Sequence, residues 1–429
     1  MIRGMKDSGV EWIGEIPEDW NIGKIKNSYD ITLGKMLEAT NAPNEDVNNY
    51  LCAANIKWNG VSTVPQKKMH FSAKEKAQYL LSDGDVLISE GGAAGTSCVY
   101  HNELSPCYIQ NSVHRCTANR TNNTKYLYYW MHVVFHSGYI NSICHKATIM
   151  HYTKEKVEQT PILVLSPTEQ QQIVHFLDRK CTAIDTAIEK TKKSIEKLEE
   201  YKKAVITKAV TKGIDPNAKM KDSGVEWIGK IPEDWEIIPN KHLMKKVKNL
   251  CPVYNGEDIL SLSMKGVYVR DPNDESGKRP TTYNGYQYVQ EGDLLMCLFD
   301  IDVTPRCVGR VYNDGLTSPA YSRFVMNKTR AIVDYYYYYY LALDFDKTLL
   351  HLSKNMRSSL TESDFGSINA PVPSPTEQQQ IVHFLDRKCT AIDTAIEKKK
   401  KAIEKWEEYK KSLIYYAVTG KIDCRNEVI

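Results

Sequence analysis

The sequence contains an internal repeat, and this repeat limits what the chain can fold into more than any other feature. The segment MKDSGVEWIGEIPEDW at residues 5–20 returns at 220–235 with a single substitution. A longer segment at residues 166–190 returns unchanged at 374–398, and the similarity continues beyond it in both copies. The chain is therefore a tandem duplication, and we predict two copies of one structural unit.

The stretches between the repeated segments have diverged. Only short matches remain there, such as DGDVLIS from Asp83 with EGDLLMC from Glu291, and Arg115 with Arg323. Identical surfaces can bind the same partner twice, whereas unlike surfaces can recognise two different targets. This contrast predicts one repeated partner and two distinct targets.

Each longer repeat predicts a long amphipathic helix. Ser166 and Pro167, with Glu169 three residues after the serine, have the pattern of a capping box at a helix start. Apolar residues then recur in steps of three and four over about five heptads, as in the seam of a coiled coil. The predicted seam comprises Leu177, Cys181, Ile184, Ile188, Ile195 and Leu198 in the first helix, and Leu385, Cys389, Ile392, Ile396, Ile403 and Trp406 in the second.

A single apolar stripe on a helix of roughly 65 Å cannot remain exposed to water, and the other copy is the obvious partner. We expect an intramolecular antiparallel coiled coil, because a two-fold arrangement then places one globular domain at each end. Short β-type runs alternate with Gly, Pro and Asn turns in the globular stretches, which predicts mixed α/β (α+β) domains. The expected divisions are a first globular domain at 1–163, a first helical spacer at 164–213, a second globular domain at 214–371, a second spacer at 372–423 and a tail at 424–429.

The composition is typical of a soluble protein. Hydrophobic residues make up 42% of the chain, charged residues make up 25%, and the net charge is +3. No stretch reaches the ~18 apolar residues of a membrane span, and the N-terminus lacks the apolar core of a secretory signal. The 11 cysteines include no C-x-x-C pair, which argues against a disulfide framework and a zinc site. We expect a cytoplasmic protein with no metal of its own.

Catalytic motifs are missing from the sequence. It has no Walker A motif, no N-P-P-[FY] or F-x-G-x-G motif, and no cluster of metal ligands at useful spacing. Six consecutive tyrosines at 335–340 could stack on bases, but consecutive positions cover every face of a helix, so packing is the expected role. We therefore expect no chemistry from this chain alone.

Polar and basic side chains in the globular stretches are the candidates for DNA contact. Arg and Lys suit guanine edges, Asn and Gln suit adenine edges, and all of them suit phosphates. The prediction rests on the whole set and on its difference between the copies, since any single residue is more often plain surface. The first domain offers Lys57, Asn59, Lys68, Gln110, Asn111, His114, Arg115 and Lys146, and the second offers Lys265, Arg270, Lys278, Arg279, Arg306, Ser322, Arg323, Lys354 and Arg357.

The repeated segments resemble the specificity subunit of type I restriction-modification enzymes. The resemblance rests on MKDSGVEWIGEIPEDW, on SPTEQQQIVHFLD with AIDTAIEK and the ending AVTGKID, and on their repetition around two divergent stretches. It covers essentially the whole chain and implies two target-recognition domains, each reading one half of a bipartite DNA site, with the coiled coil as a ruler. The first copy ends AVTKGID instead, a departure that concerns the capping of its helix.

The resemblance also implies the partners of the chain. These are double-stranded DNA, two modification subunits that methylate adenine with S-adenosylmethionine, and motor-nuclease subunits that cleave unmodified DNA. S-adenosylmethionine, ATP and Mg would then belong to the partners, and this chain would be a non-catalytic subunit. Two alternatives remain open: a coiled-coil scaffold that spaces two protein-binding domains without binding DNA, and a stand-alone nuclease or methyltransferase with an unfamiliar site.

Overall fold

The computed structural model describes residues 3–37, 47–119, 121–144, 150–271, 280–352 and 358–425. The chain divides into two compact units, one made of Met1–Thr191 with Lys401–Ile429 and the other of Lys192–Lys400. The duplication is therefore present as two units, as predicted. The first unit, however, is assembled from both ends of the chain, because each unit includes half of each long helix.

The first unit places an antiparallel four-stranded sheet against helices. The order of this sheet is β10-β9-β12-β4, and a smaller sheet has the order β11-β5-β8. The strands are β1 (Met5–Asp7), β2 (Glu15–Pro17), β3 (Asn21–Lys24), β4 (Tyr29–Leu33), β5 (Val47–Leu51), β6 (Ile56–Lys57), β7 (Gly60–Val61), β8 (Lys67–His70), β9 (Val86–Ser89), β10 (Ser97–Val99), β11 (Cys107–Ile109), β12 (Val113–Ala118) and β13 (Pro161–Val164). The helices are α1 (Ile25–Ser28), α2 (Ala73–Tyr79), α3 (Thr124–His136), α4 (Tyr139–Ile143), α5 (Lys154–Gln159) and α6 (Pro167–Lys212), the last of which continues into the second unit.

The second unit repeats the central sheet with the order β17-β24-β21-β22. Its strands are β14 (Met220–Asp222), β15 (Lys230–Pro232), β16 (Glu236–Pro239), β17 (Met244–Val247), β18 (Leu260–Ser263), β19 (Gly266–Val269), β20 (Gln287–Val289), β21 (Leu294–Met296), β22 (Val308–Arg310), β23 (Gly315–Thr317), β24 (Ser322–Met326) and β25 (Asn369–Val372). Its helices are α7 (Val333–Phe345), α8 (Thr348–His351), α9 (Glu362–Ser367) and α10 (Pro375–Val418), the last of which continues into the first unit. The mixed α/β prediction is thus confirmed.

The tyrosine run lies on α7 and serves packing, as predicted. Tyr335, Tyr336, Tyr339 and Tyr340 are completely buried between the sheet and the long helices. Their hydroxyls are satisfied within the protein, as in the bond from the Tyr335 hydroxyl to the Val210 carbonyl at 2.9 Å. These tyrosines have no face left for a base.

The long helices pair within each unit in antiparallel orientation. In the first unit, Lys410 Nζ lies 2.7 Å from an Asp185 carboxylate oxygen, and Gln172 Nε2 donates to the Arg425 carbonyl at 2.8 Å. Sequence numbers therefore rise along one helix as they fall along the other. In the second unit, Lys202 Nζ lies 2.6 Å from Asp393, at the positions equivalent to Lys410 and Asp185.

The predicted seam is buried over most of its length. Leu177, Cys181, Ile184, Ile188, Leu385, Cys389, Ile392 and Ile396 are all buried, whereas Ile195, Leu198 and Ile403 are half-buried. The prediction for Trp406 was wrong: its side chain is 41% exposed, and its ring stands edge-on to Tyr409 with 6.1 Å between centroids. The equivalent position holds Leu198, and the larger indole stays on the surface of α10.

The two helix ends use the same residues in opposite order. The end of α6 reads Lys212-Gly213, and just beyond α10 the chain reads Gly420-Lys421. Lys212 Nζ donates to the Ile228 carbonyl at 2.9 Å, and Lys421 Nζ donates to the Ile13 carbonyl at 3.0 Å. The glycine of each pair takes the left-handed backbone that ends many helices, with φ of +72° and +74°. In both orders, the lysine bonds a helix end to the copy of the repeated segment in the same unit, 220–235 or 5–20.

We expect Leu177→Ala and Leu385→Ala each to lower the free energy of unfolding by about 2–5 kcal/mol, because each leaves a cavity at a fully buried position. Trp406→Ala should change it by less than about 1 kcal/mol, since most surface substitutions do little. Urea unfolding followed by circular dichroism measures both. A large loss in the free energy of unfolding for Trp406→Ala would show that Trp406 packs in the seam and would contradict its assignment to the surface.

Candidate nucleic-acid interface

A buried glutamine attaches each globular domain to the first turn of a long helix. Gln170 Oε1 accepts from the Asn123 backbone N–H at 2.8 Å, and Gln378 Oε1 accepts from Ile332 N–H at 2.8 Å. Asn123 and Ile332 directly precede α3 and α7. The amide nitrogens donate to the carbonyls that precede α6 and α10. The same contact therefore positions two domains of different sequence.

A second matched contact lies nearly two turns further along α3 and α7. The Tyr129 hydroxyl donates to Asp178 Oδ1 at 2.6 Å, and the Tyr338 hydroxyl donates to Asp386 Oδ1 at 2.7 Å. Burial and the adjacent carboxylate both raise the pKa of each tyrosine far above its ordinary value, so each hydroxyl keeps its proton. These contacts fix the loops of each domain relative to the adjacent helix half.

The hairpin of β6 and β7 carries two candidates of the first domain. Lys57 and Asn59 are exposed on either side of Trp58. The Trp58 ring lies 3.9 Å from the His132 ring, and its carbonyl accepts a bond from the Tyr128 hydroxyl at 2.7 Å. Trp58 therefore anchors the hairpin on α3 and leaves Lys57 and Asn59 directed to solvent.

Three more candidates of the first domain occupy different environments. Lys68 is exposed on the edge strand β8, opposite Asn49 of β5. Gln110 and Asn111 are half-buried in the turn before β12, where the Gln110 amide bonds to the side chains of Asn111 and Ser112. Lys68 is free to meet a ligand, whereas Gln110 shapes the turn that presents Asn111.

The prediction that His114 contacts DNA was wrong. This side chain is completely buried, and its Nε2 lies 2.8 Å from the Tyr152 carbonyl oxygen. Desolvation lowers its pKa to about 4, so the ring is neutral at physiological pH. A buried neutral imidazole is a packing residue here.

Arg323 and Ser322 were also assigned wrongly, because both side chains are buried. Arg323 is 6% exposed, and its Nε lies 2.6 Å from an Asp293 carboxylate oxygen. Arg115 is half-buried at the equivalent position of β12, and its charge acts on the equivalent carboxylate, Asp85. Ser322 is 9% exposed. The Arg323 ion pair belongs to the core of the second central sheet, because a buried arginine needs its carboxylate partner. Arg115 instead donates to the Leu80 carbonyl and keeps part of its surface exposed, so it stays a candidate contact.

The second domain exposes a different set. Lys265 is exposed at the tip of the β18–β19 hairpin, and Arg270 and Arg306 are half-buried. Lys265 and Arg306 border a groove of about 850 Å³ beside the long helices of this unit. In the first unit, the groove beside Trp58 and Asn59 measures about 190 Å³. The two domains therefore present differently shaped surfaces beside their helices.

Five predicted contact residues lie outside the described residues. They are Lys146, Lys278, Arg279, Lys354 and Arg357.

Sequence reasoning missed the loop between β21 and β22. Phe299 is 38% exposed and Val303 is 73% exposed on this loop. The equivalent loop of the first domain, between β9 and β10, reads EGGAAG and has almost no side chains to offer. Aligning the two copies on their central strands would have identified this difference as a candidate for distinct recognition.

The described residues contain no group of three or more His, Cys, Asp or Glu side chains arranged to hold a metal ion. Within the same part of the chain, no helix is long and apolar enough to cross a membrane.

The fold and the repeated contacts between domain and helix define a class of protein, and comparison with known proteins identifies it. The model of the type I restriction modification DNA specificity domain matches residues 17–200 and 232–405. These two matches cover most of the chain, so the protein belongs to this family. It is accordingly a specificity subunit of a type I restriction-modification system, which is a non-catalytic subunit.

Curated relatives and solved structures agree with this assignment. Two Methanocaldococcus jannaschii proteins align over 96% of the chain and 95% of their own length: one with the provisional name of type I restriction enzyme MjaX specificity subunit, at 26% identity, and the type I restriction enzyme MjaVIII specificity subunit, at 23%. A chain from a study of complex assembly and conformational transition of the type I R-M system shares the fold with a TM-score of 0.70, at 12% identity over 95% of this chain and 99% of its own. The HsdS subunit from Thermoanaerobacter tengcongensis has a TM-score of 0.50 at 13% identity, over 95% and 98% of the two chains.

We predict that acid destabilises the first unit through His114, which is buried, and His132, which is partly buried. Burial lowers the pKa of His114 to about 4 and that of His132 to about 3, from 6.5 in the unfolded chain. For His132, the charges of Lys410 and His136 add to this effect. The stability that each neutral ring contributes is complete above about pH 6.5 and is lost as the pH falls towards its folded pKa, because the unfolded state then binds the proton.

Lowering the pH from about 7.5 to about 5 should therefore cost about 2 kcal/mol per histidine. His132→Leu, which installs the residue found at the equivalent Leu341, should remove one of these two contributions. Urea unfolding at the two pH values measures the difference. The same pH dependence in His132→Leu and the wild-type chain would refute the prediction.

Proposed function

We propose that this chain reads an asymmetric DNA site in two parts, one for each globular domain. The observation that carries the proposal is a contrast between two parts of each domain. The contacts that hold the domain on its helices are the same in both units, whereas the exposed side chains differ. The same glutamine, tyrosine and aspartate contacts hold both domains on their helices. The exposed groups on those domains differ, with Lys57 and Asn59 on one and Lys265 on the other.

The chemistry of the exposed set suits DNA. Lysine binds phosphates and guanine edges, and asparagine can read adenine. The net charge of the chain is only +3, which supports a modest grip on the phosphates by this subunit and a larger share by its partners. In this proposal the domains at 1–163 and 214–371 supply base recognition, and Lys146, Lys278, Arg279, Lys354 and Arg357 remain candidate contacts.

The paired helices serve in this proposal as a spacer and a docking platform. The spacers at 164–213 and 372–423 set the distance between the half-sites. Their repeated surfaces bind two modification subunits, which supply adenine methylation with S-adenosylmethionine, and motor-nuclease subunits with ATP and Mg complete the complex. The lack of catalytic motifs in the sequence fits a role limited to recognition.

Replacing residues 21–160 with the equivalent stretch of a relative should change one half of the methylated sequence and leave the other half unchanged. The reason is that the frame contacts of the second domain are untouched. Sequencing of methylated adenines in cells that express the modification subunit measures this. Unchanged specificity would contradict DNA reading and favour a scaffold that spaces two protein-binding domains.

Inserting one heptad at paired positions of α6 and α10 should lengthen the tolerated spacer by at most about three base pairs. A heptad preserves the seam and adds about 10.5 Å, while DNA rises about 3.4 Å per base pair. The same methylation sequencing measures the spacer. An insertion in only one helix is the control, since it disrupts the pairing, and an unaltered spacer in the paired variant would contradict the ruler.

A further inference from the structure

The starts of the two long helices present the same residues to solvent in both units. His175 and Gln171 of α6 are exposed, as are the equivalent His383 and Gln379 of α10. Exposed helix positions usually tolerate substitution with little effect on stability. Further along the helices the copies differ at exposed positions. Lys208 of α6, for example, corresponds to Tyr416 of α10. The identity at the helix starts therefore indicates a constraint beyond folding, and the simplest such constraint is a partner bound twice.

In the second unit this surface contains an open groove. Ile214, Phe384, Gln380, His383 and Arg387 line a space of about 420 Å³. Ile214 is 39% exposed and Phe384 is partly exposed, so the groove has an apolar floor. Arg387 and the polar side chains form its rim.

In the first unit the chain itself covers the equivalent surface. Gln172 Nε2 donates to the Arg425 carbonyl at 2.8 Å, and Cys424 is buried at 5% exposure. Phe176 is 8% exposed, although its counterpart Phe384 is more open, and Ile422 is half-buried where Ile214 is exposed. Segment 422–425 thus occupies part of a surface that is left open in the other unit.

We propose that both surfaces dock an extended segment of the modification subunit, and that segment 422–425 makes the first-unit surface the weaker of two otherwise identical sites. The inference rests on the proposed function. The covering segment shows the chemistry that the surface accepts, because Gln172 bonds to a backbone carbonyl. Gln380 offers the same donor to a partner.

The groove also defines the side chains of the occupant. Ile214 and Phe384 accept an apolar side chain, and Arg387 at the rim favours an acidic one beside it. On the first unit, the partner must first displace segment 422–425. Breaking those contacts costs free energy, which weakens binding of the partner. The two modification subunits therefore bind in order, the second-unit surface first.

The test uses the full-length chain co-purified with the modification subunit, with native mass spectrometry to count the subunits. The double variant Gln380→Arg, His383→Glu should retain one modification subunit instead of two, and so should Gln172→Arg, His175→Glu. The combined variant should retain none. Lys208→Glu, on an exposed position where the copies differ, is the control and should retain two. Two bound subunits in the combined variant, with an unchanged unfolding temperature, would overturn the docking surface.

Truncation after Ile422 tests the inequality of the two sites. Isothermal titration of the intact chain with the modification subunit should resolve two steps, and truncation should tighten the weaker step by about tenfold. Two unchanged steps would overturn the role of segment 422–425. If docking survives every variant while replacement of residues 21–160 still changes half of the methylated sequence, this inference fails alone. Unchanged specificity after that replacement defeats the proposed function whatever the count of bound subunits.

Discussion

A buried amide in the first turn of each long helix holds the structure of its unit together. Gln170 is 3% exposed and Gln378 is completely buried, and each amide bonds both to the domain and to the backbone before the helix. Leaving such a buried group without partners costs about 1–3 kcal/mol, so helix and domain cannot shift independently without that loss. The seam then pairs each helix half with its neighbour, and the loops of the domain keep a fixed position beside the helix. Recognition in this account depends on that fixed position.

Much of this frame could be predicted from the sequence, because it depends on periodicity and on repetition. The steps of three and four predicted buried positions from Leu177 to Ile188, and the capping pattern at Ser166 predicted a helix start at Pro167. Trp406 was assigned wrongly because periodicity records only that a residue is apolar. It contains no information on whether an indole fits where the other copy has a leucine.

The candidate contacts were harder to predict, and the errors have two causes. Arg115 and Arg323 are basic, but they match each other in two domains that have otherwise diverged. A residue that both globular domains share is better suited to a structural role than to recognition of different targets. The ion pair between Arg323 and Asp293 is such a structural role. His114 sits beside Arg115 on β12, and the sequence alone does not show that its side chain points into the core.

The two units show how one frame can support two specificities. Trp58 fills the space beside α3 in the first unit, whereas the second unit keeps a groove of about 850 Å³ there. The loop that follows the central strand is nearly devoid of side chains in one domain and carries Phe299 and Val303 in the other. Neither change disturbs the glutamine contacts or the seam. Variation is thus confined to surfaces that do not hold the fold together.

The most direct measurement is the genome-wide position of methylated adenines in cells that express this chain with its modification subunit. The two globular domains have different surfaces but are held on repeated helices by the same contacts. This arrangement predicts an asymmetric motif of two short specific sequences, separated by a spacer of unspecified bases with a constant length. A single continuous motif, a palindrome, or methylation without sequence preference would contradict the account.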